Sequence, residues 1–279
     1  MPIGSDPWGE TRTVEMPGLI YGTAWKEEET ARLTRVALES GFRGIDTANQ
    51  RRHYDEAAVG RALREVSAEG IFLQTKFTDL GGQDQRLPYD RDATVSRQVA
   101  QSVESSLGHL GVDTIDSYLL HGPSTRGRLA REDWEAWTAM EEAQRAGKVR
   151  LLGISNVTLA QLDELYRKVA VKPSAVQNRC FARTGWDREV RRFCRAHGIV
   201  YQGFSLLTAN PEVLRHPTLR AICARIAKTP AQVVFRFAIQ AGMVALTGTT
   251  SPRHMAEDLA VQEFGLDEED VMAIERLVG

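Results

Sequence analysis

Four side chains of this sequence could act together to move a proton: Asp46, Tyr54, Lys76 and His121. A tyrosine hydroxyl ordinarily titrates near pH ~10 and is a poor acid at neutrality. A neighbouring ammonium favours the phenolate, so Lys76 is expected to lower that value while Asp46 holds the ammonium charged and in place. His121 can donate a hydrogen bond to a substrate oxygen or share the proton relay. Such a set can protonate an oxygen that gains negative charge, which is general-acid catalysis with electrostatic support and requires no metal. Taken singly, each has a plainer reading: an aspartate at a strand end commonly caps a loop or pairs with an arginine.

The elements around these residues bring them together. Phe42 to Thr47 carries an apolar centre at Ile45 and reads as a short strand with Asp46 at its C-terminal end. From Asp55 the pattern changes to a helix, with Val59, Ala62, Leu63 and Val66 at i, i+3, i+4 and i+7, so Tyr54 stands at the entry to its first turn. Ile71–Lys76 and Ile115–His121 are apolar runs ending in the lysine and the histidine. Three consecutive strands thus deliver Asp, Lys and His to one end of a sheet. The remaining chain repeats this alternation. Leu19 to Trp25 reads as the first strand and its exit, and Glu27–Ser40 as a helix stopped by Gly41. Val149–Ser155, Ser174–Gln177, Ile199–Phe204 and Val244–Leu246 read as strands five to eight, with helices between them and a last helix from Asp267. The helical stretch from about Pro217 to Ala241 is broken near Thr229-Pro230. Eight strand–helix units predict an α/β fold of the (β/α)8 TIM-barrel type, eight parallel strands in a single domain over residues 1–279. His197 reads as a last-turn helix residue, the Trp134/Trp137 pair as core, and the polar stretch Pro7–Met16 as a lid over the barrel floor.

GFRGIDTA, the later Tyr with Glu56-Ala57-Ala58-Val59-Gly60, Gln74-Thr75-Lys76, Tyr118-Leu119-Leu120-His121-Gly122-Pro123 and GKVRLLGISNV at 147–157 resemble the signatures of the aldo-keto reductases, in that family's order. The resemblance implies a barrel of NAD(P)H-dependent carbonyl reductases with Asp46, Tyr54, Lys76 and His121 as its tetrad. No side chain supplies hydride, so a nicotinamide cofactor is implied. The sequence has no Gly-x-Gly, which leaves a Rossmann site unsupported and fits a cofactor bound across a barrel mouth. By resemblance, Ser155, Asn156 and Gln177 would hold the carboxamide, Phe204 would stack on the nicotinamide, and Ser205 and Leu207 would follow the pyrophosphate. Gly22 and Thr23, at the first strand's exit, complete the expected cofactor wall with Asp46. Thr249-Thr250-Ser251-Pro252 is a helix start suited to a phosphate, with Ser251 as N-cap and Pro252 at N1.

Set against the family's NADP-preferring members, the lysine position falls on Gly248, the serine on Thr249 and the arginine on His254, while Glu257 and Asp258 match residues near the adenine. Arg253 adjoins His254, and no carboxylate stands at Gly248 or Thr249 to repel a phosphate. The expected cofactor is therefore NADP(H), with NAD(H) also admitted and the margin reduced. Other departures lie at the site itself. The family's commoner signature brings its tyrosine sooner after the aspartate, which makes His53 the rival of Tyr54 in a strict alignment. Gly122 stands where many members have Trp, and the sequence ends soon after its last helix where many carry a long tail. An open mouth is expected, with Trp25, Phe77, Gly122 and Trp186 as its walls.

The bulk composition agrees with a soluble globular protein. Hydrophobic residues make up 42% of the 279 and charged residues 26%, enough to bury a core. A net charge of −2 gives no reason to expect nucleic acid or an anionic membrane as partner; the resemblance implies a small carbonyl or alcohol as substrate, and a monomer is expected. Cys180, Cys194 and Cys223 are scattered, which reads as reduced thiols in a cytoplasmic protein, and the first ten residues lack the features of a signal peptide. Two rival readings use the same residues: a non-catalytic NADPH-binding subunit that senses redox state, and a Schiff-base aldolase with Lys76 as nucleophile.

Overall fold

A computed structural model describes residues 2–3, 14–66 and 70–277. Its centre is a closed parallel barrel formed by β1 (Leu19–Gly22), β2 (Gly44–Asp46), β3 (Phe72–Phe77), β4 (Ile115–Leu120), β5 (Val149–Ser155), β6 (Ala175–Arg179), β7 (Val200–Phe204) and β8 (Met243–Thr247), with β8 pairing back onto β1. This is the (β/α)8 TIM-barrel architecture expected from the alternation of elements.

Strand alternation decides which side chains enter the barrel. In β3, Phe72 packs inside with Met16, Ile20 and Leu119, whereas Leu73 and Phe77 belong to the layer between barrel and helices. Gln74 lies inside and bonds Gln202 of β7, and Lys76 follows it on the same face. Met16 closes the floor, where its sulfur accepts from the Gln202 amide. The floor also carries a short antiparallel pairing of Pro2–Ile3 with Val14–Glu15. Most of the lid expected over Pro7–Met16, residues 7–13, lies outside the described residues.

The helices α1 (Thr30–Ser40), α2 (Glu56–Glu65), α3 (Val95–Leu110), α4 (Arg131–Arg145), α5 (Leu159–Lys168) and α6 (Arg188–Ala196) follow β1 to β6 in turn. α1 buries Leu33, Ala37 and Leu38 and ends at Gly41, whose φ of 115° is open to glycine and unfavourable for most residues. α2 is capped by the Asp55 carboxylate, which accepts from the Ala58 amide, and packs so closely on α3 that a Cβ on Gly60 would lie 2.0 Å from the His109 carbonyl oxygen. After β7 come α7 (Pro211–Arg215), α8 (Pro217–Ile226) and α9 (Pro230–Gln240), and after β8 come α10 (Pro252–Leu259) and α11 (Glu268–Glu275). The break at Thr229-Pro230 is a capping box, with Thr229 and Gln232 bonded reciprocally. α7 has only five residues, too few for apolar periodicity to show in the sequence. Trp137 is buried as core, and His197 caps α6 with its ring stacked on Phe193. The three cysteines are buried and unpaired. Among the described residues no helix is long and apolar enough to cross a membrane.

Candidate active site

All four expected residues lie at the C-terminal end of the barrel, where (β/α)8 enzymes carry their chemistry. Asp46 ends β2, Lys76 is next to last in β3, and His121 follows β4 directly. Parallel register aligns them: Asp46 pairs with Gln74, and Lys76 with Leu119. Lys76 is buried and gives hydrogen bonds of 2.7 Å to both oxygens of Asp46 and of 2.8 Å to the Thr47 carbonyl. Burial lowers the Lys76 pKa, and the Asp46 carboxylate opposes that shift. All three ammonium protons are engaged, so no lone pair is free to attack a carbonyl, which argues against an aldolase nucleophile.

Beneath Asp46 lies a polar layer absent from the sequence-based expectations. Gln74 and Gln177 both donate to Asp46 Oδ1, at 2.7 and 2.9 Å, and both also bond Gln202. Ser117 donates to the Gln74 oxygen. The signal was present as glutamines at inward positions of otherwise apolar strands. Only barrel closure shows that residues of β3, β6 and β7 meet. This layer holds the carboxylate through Oδ1, the oxygen it shares with Lys76.

Tyr54 reaches the site because the connection after β2 coils once before α2. The amide of Tyr54 donates to the Gln50 carbonyl at 3.0 Å, closing a turn over residues 51–53. That turn sets the His53 ring against Trp25, with centroids 3.6 Å apart, and Tyr54 beside Lys76 and His121. The Tyr54 ring centroid lies 5.5 Å from Lys76 Nζ and 6.0 Å from the His121 ring, edge to face. One expectation is corrected here. Burial and then the Asp46 charge raise the Tyr54 pKa well above its ordinary value, so Lys76 does not bring it below that value. The physical reason is that the Lys76 charge is already neutralised by Asp46 while the phenolate would lose its hydration. Tyr54 is therefore a neutral phenol through the neutral range.

His121 is held on three sides. Its amide bonds the Phe77 carbonyl, its own carbonyl accepts from Asn156 Nδ2 at 2.8 Å, and its Nδ1 lies 2.6 Å from Thr78 Oγ1. Burial, followed by the charges of Lys76 and His53, pushes its pKa down to about 3. A base whose folded pKa lies below its ordinary 6.5 takes up its proton more readily when unfolded, so its contribution to stability falls as pH drops from 6.5 towards 3. We expect wild-type melting temperature to decline more steeply than that of His121→Gln between pH 6.5 and 4. Parallel declines would show that the ring is not held neutral.

The expected cofactor residues also gather at this end. Thr23 is buried beside Asp46 and donates to its carbonyl at 3.1 Å, and Gly22 pairs with Asp46 in register. Ser155 donates to the Gln177 carbonyl, Asn156 bridges Ser155 and His121 with φ at 53°, and Gly122 lies against Asn156. Phe204 is half-buried at the end of β7 with the Arg179 guanidinium 5.5 Å over its ring. Ser205 follows with φ at 56°, and Leu207 is half-buried. Thr249 receives the Tyr21 hydroxyl on its carbonyl, and Ser251 caps α10 by accepting from the His254 amide at 3.4 Å. Arg253 is exposed, 3.0 Å from His254 Nε2 and 3.8 Å from Glu257. Asp258 is buried and accepts from Thr247, and burial raises its carboxyl to about 6.

Two expected pocket walls lie elsewhere. Trp186 is fully buried, packed on Phe237 with its indole N–H on the Ile274 carbonyl, because it follows β6 outward into the helical layer. Phe77 points away from the barrel axis and packs on Tyr89, since it alternates with the inward Lys76. Trp25 stays at the rim, 68% exposed, and Gly122 stays beside His121. A further residue escaped the sequence analysis: Lys26, directly after Trp25, is buried with its ammonium on the Gly248 carbonyl and has no carboxylate partner among the described residues. Burial lowers its pKa. Among the described residues no group of side chains could hold a metal ion.

A Lys–Asp pair, a tyrosine and a histidine thus meet at the C-terminal mouth of a closed (β/α)8 barrel, and sequence comparison identifies the class of oxidoreductases to which the chain belongs. The aldo/keto reductase family profile matches residues 18–278, and the chain belongs to that family. It is 33% identical to an aldo-keto reductase of Mycobacterium avium over 94% of this chain and 86% of the relative, and 31% identical to the 9,11-endoperoxide prostaglandin H2 reductase of Trypanosoma cruzi over 95% and 89%. Among solved structures it is similar to an aldo-keto reductase from a Medee basin deep-sea metagenome library, with a TM-score of 0.83 and 26% identity, covering 96% of this chain and 93% of that one.

Proposed function

We propose that this protein reduces aldehydes or ketones to alcohols with NADP(H), with Tyr54 as the proton donor. The observation that carries this reading is the neutral Tyr54 phenol seated beside the Lys76–Asp46 pair and His121 at the barrel mouth. The bound nicotinamide supplies the hydride that the protein lacks. Tyr54 hands its proton to the carbonyl oxygen as negative charge develops there, and His121 donates a hydrogen bond to the same oxygen. Lys76 is close enough to stabilise the phenolate left behind. Asp46, braced by Gln74 and Gln177, keeps that ammonium in place. In the reverse direction a tyrosinate must take the alcohol proton, so alcohol oxidation should gain rate as pH rises.

The donor set suits a nicotinamide dinucleotide. The Gln177 side-chain Nε2 donates into the barrel, and its side-chain Oε1 has no protein donor among the described residues. With Ser155 and Asn156 it would hold a carboxamide, and Phe204 offers a flat face for the ring. Gly22, Thr23, Ser205, Leu207 and Thr249 would line the rest. Lys26 brings a cation beside Gly248, where the family's lysine is missing, so part of the lost phosphate affinity would be restored from the connection after β1. Arg253 and the α10 N-terminus would face the adenosine phosphate, with His254, Glu257 and Asp258 behind them.

The deciding experiment follows NADPH and NADH oxidation against aromatic aldehydes, ketones, α-keto acids and sugars. Absence of turnover with every carbonyl, while NADPH still binds, would favour a cofactor-sensing subunit. Arg253→Ala should raise the NADPH Kd several-fold and leave NADH nearly unchanged, and the difference should shrink with added salt because the exposed arginine is screened. Equal losses for both cofactors would remove Arg253 from the phosphate site.

A further inference from the structure

Thr78 is two residues beyond Lys76, 4% exposed, and its Oγ1 lies 2.6 Å from Nδ1 of His121. The contact is enforced from several sides. The Thr78 carbonyl accepts from the Tyr89 hydroxyl at 2.7 Å and from Gln83 at 3.3 Å, so the backbone is tied down. Its methyl group sits over Gly82, where an added Cβ would lie 2.5 Å from Cγ2. Gly82 is in turn fixed by Gln50, whose amide donates to its carbonyl at 2.7 Å. With the methyl in that slot, the hydroxyl is turned to the imidazole.

The direction of this hydrogen bond decides which ring nitrogen carries the proton. If Nδ1 donated, the threonine hydrogen would need a different acceptor, and among the described residues Oγ1 has no hydrogen-bond partner other than His121. A buried O–H without an acceptor is unfavourable. If the hydroxyl donates, its hydrogen is satisfied, Nδ1 is the acceptor, and the proton of the neutral ring sits on Nε2.

We propose that Thr78 is a positioning residue that donates its hydroxyl hydrogen to Nδ1 of His121 and so fixes the Nε2–H tautomer, presenting a hydrogen-bond donor to the substrate carbonyl oxygen. The second half rests on the reductase reading above, and the first does not. A His121 locked in this way needs no protonation to act as donor. The imidazole stays neutral, so it neither repels the Lys76 ammonium nor requires an acidic medium.

The test uses full-length protein labelled with 15N-histidine. Long-range proton–nitrogen correlation at neutral pH separates Nδ1–H from Nε2–H rings, and the spectrum of His121→Asn assigns the relevant signal among the six histidines. We expect a single Nε2–H form in the wild type and in Thr78→Ser, and a mixture of tautomers in the near-isosteric Thr78→Val. Reduction kcat should fall about tenfold or more in Thr78→Val, because the wrong tautomer cannot donate. It should recover in Thr78→Ser, with the cofactor Kd constant throughout. An Nδ1–H ring in the wild type, or an unchanged tautomer in Thr78→Val, would overturn the assignment. If the wild type reduces no carbonyl while the spectra follow the expected pattern, the reductase reading fails and the tautomer assignment holds. Should Thr78→Val fold poorly, Gly82→Ala, which presses on the Thr78 methyl, should produce the same mixture.

Discussion

Tyr54→Phe is expected to lower the rate of carbonyl reduction by about 10²–10⁴-fold while leaving cofactor affinity nearly unchanged, because a positioned acid contributes on that scale and only the hydroxyl is removed. The ring contacts with His121 and the proximity to Lys76 do not depend on that oxygen, so the fold and the pocket shape should persist. Stopped-flow kinetics together with fluorescence titration of NADPH separate the two quantities. His53→Ala is the matched control, since that ring lies against Trp25 at the rim. Near-normal turnover in Tyr54→Phe with an inactive His53→Ala would move the acid to His53. The raised pKa of Tyr54 adds a second readout: reduction should show no loss of rate across the neutral range from ionisation of this phenol.

The other large effect concerns the Lys76–Asp46 pair. Both side chains are almost fully buried, and removing one partner of such a pair leaves a charge without compensation, typically at a cost of about 3–5 kcal/mol. Lys76→Met and Asp46→Asn are each expected to destabilise by about 3 kcal/mol or more and to abolish reduction. The double substitution should cost less than the sum of the two by at least about 1 kcal/mol, since neither leaves an isolated charge once both are gone. Denaturant titration of the four proteins gives the coupling, and strict additivity would show that the pair does not act as a unit. Lys76→Met also reveals the balance around the phenol. With the ammonium removed and Asp46 retained, the Tyr54 pKa should rise further, which would shift the alkaline limb of alcohol oxidation upward. A shift in the opposite direction would mean that Lys76 is not the cation that steadies the phenolate.

The chain by itself determined the barrel and most of its mouth. Periodicities of strand and helix are local, and Asp46, Lys76 and His121 fall at strand ends that any parallel barrel must bring to one side. The same local logic located Gly41, Ser251-Pro252 and Thr229-Pro230 as helix boundaries. Tertiary structure alone decided what depends on contacts between strands distant in sequence. The glutamine layer under Asp46 joins β3, β6 and β7, and Lys26 meets Gly248 across 222 positions. Thr78 reaches His121 only because β3 and β4 are neighbours. Whether Phe77 faced the pocket depended on the phase of its strand, and Trp186 on the path of its loop into the helical layer. A signature motif does not encode either one. The sign of the Tyr54 pKa shift was likewise beyond the sequence, because it is set by how completely burial and Asp46 outweigh a lysine whose charge is already paired.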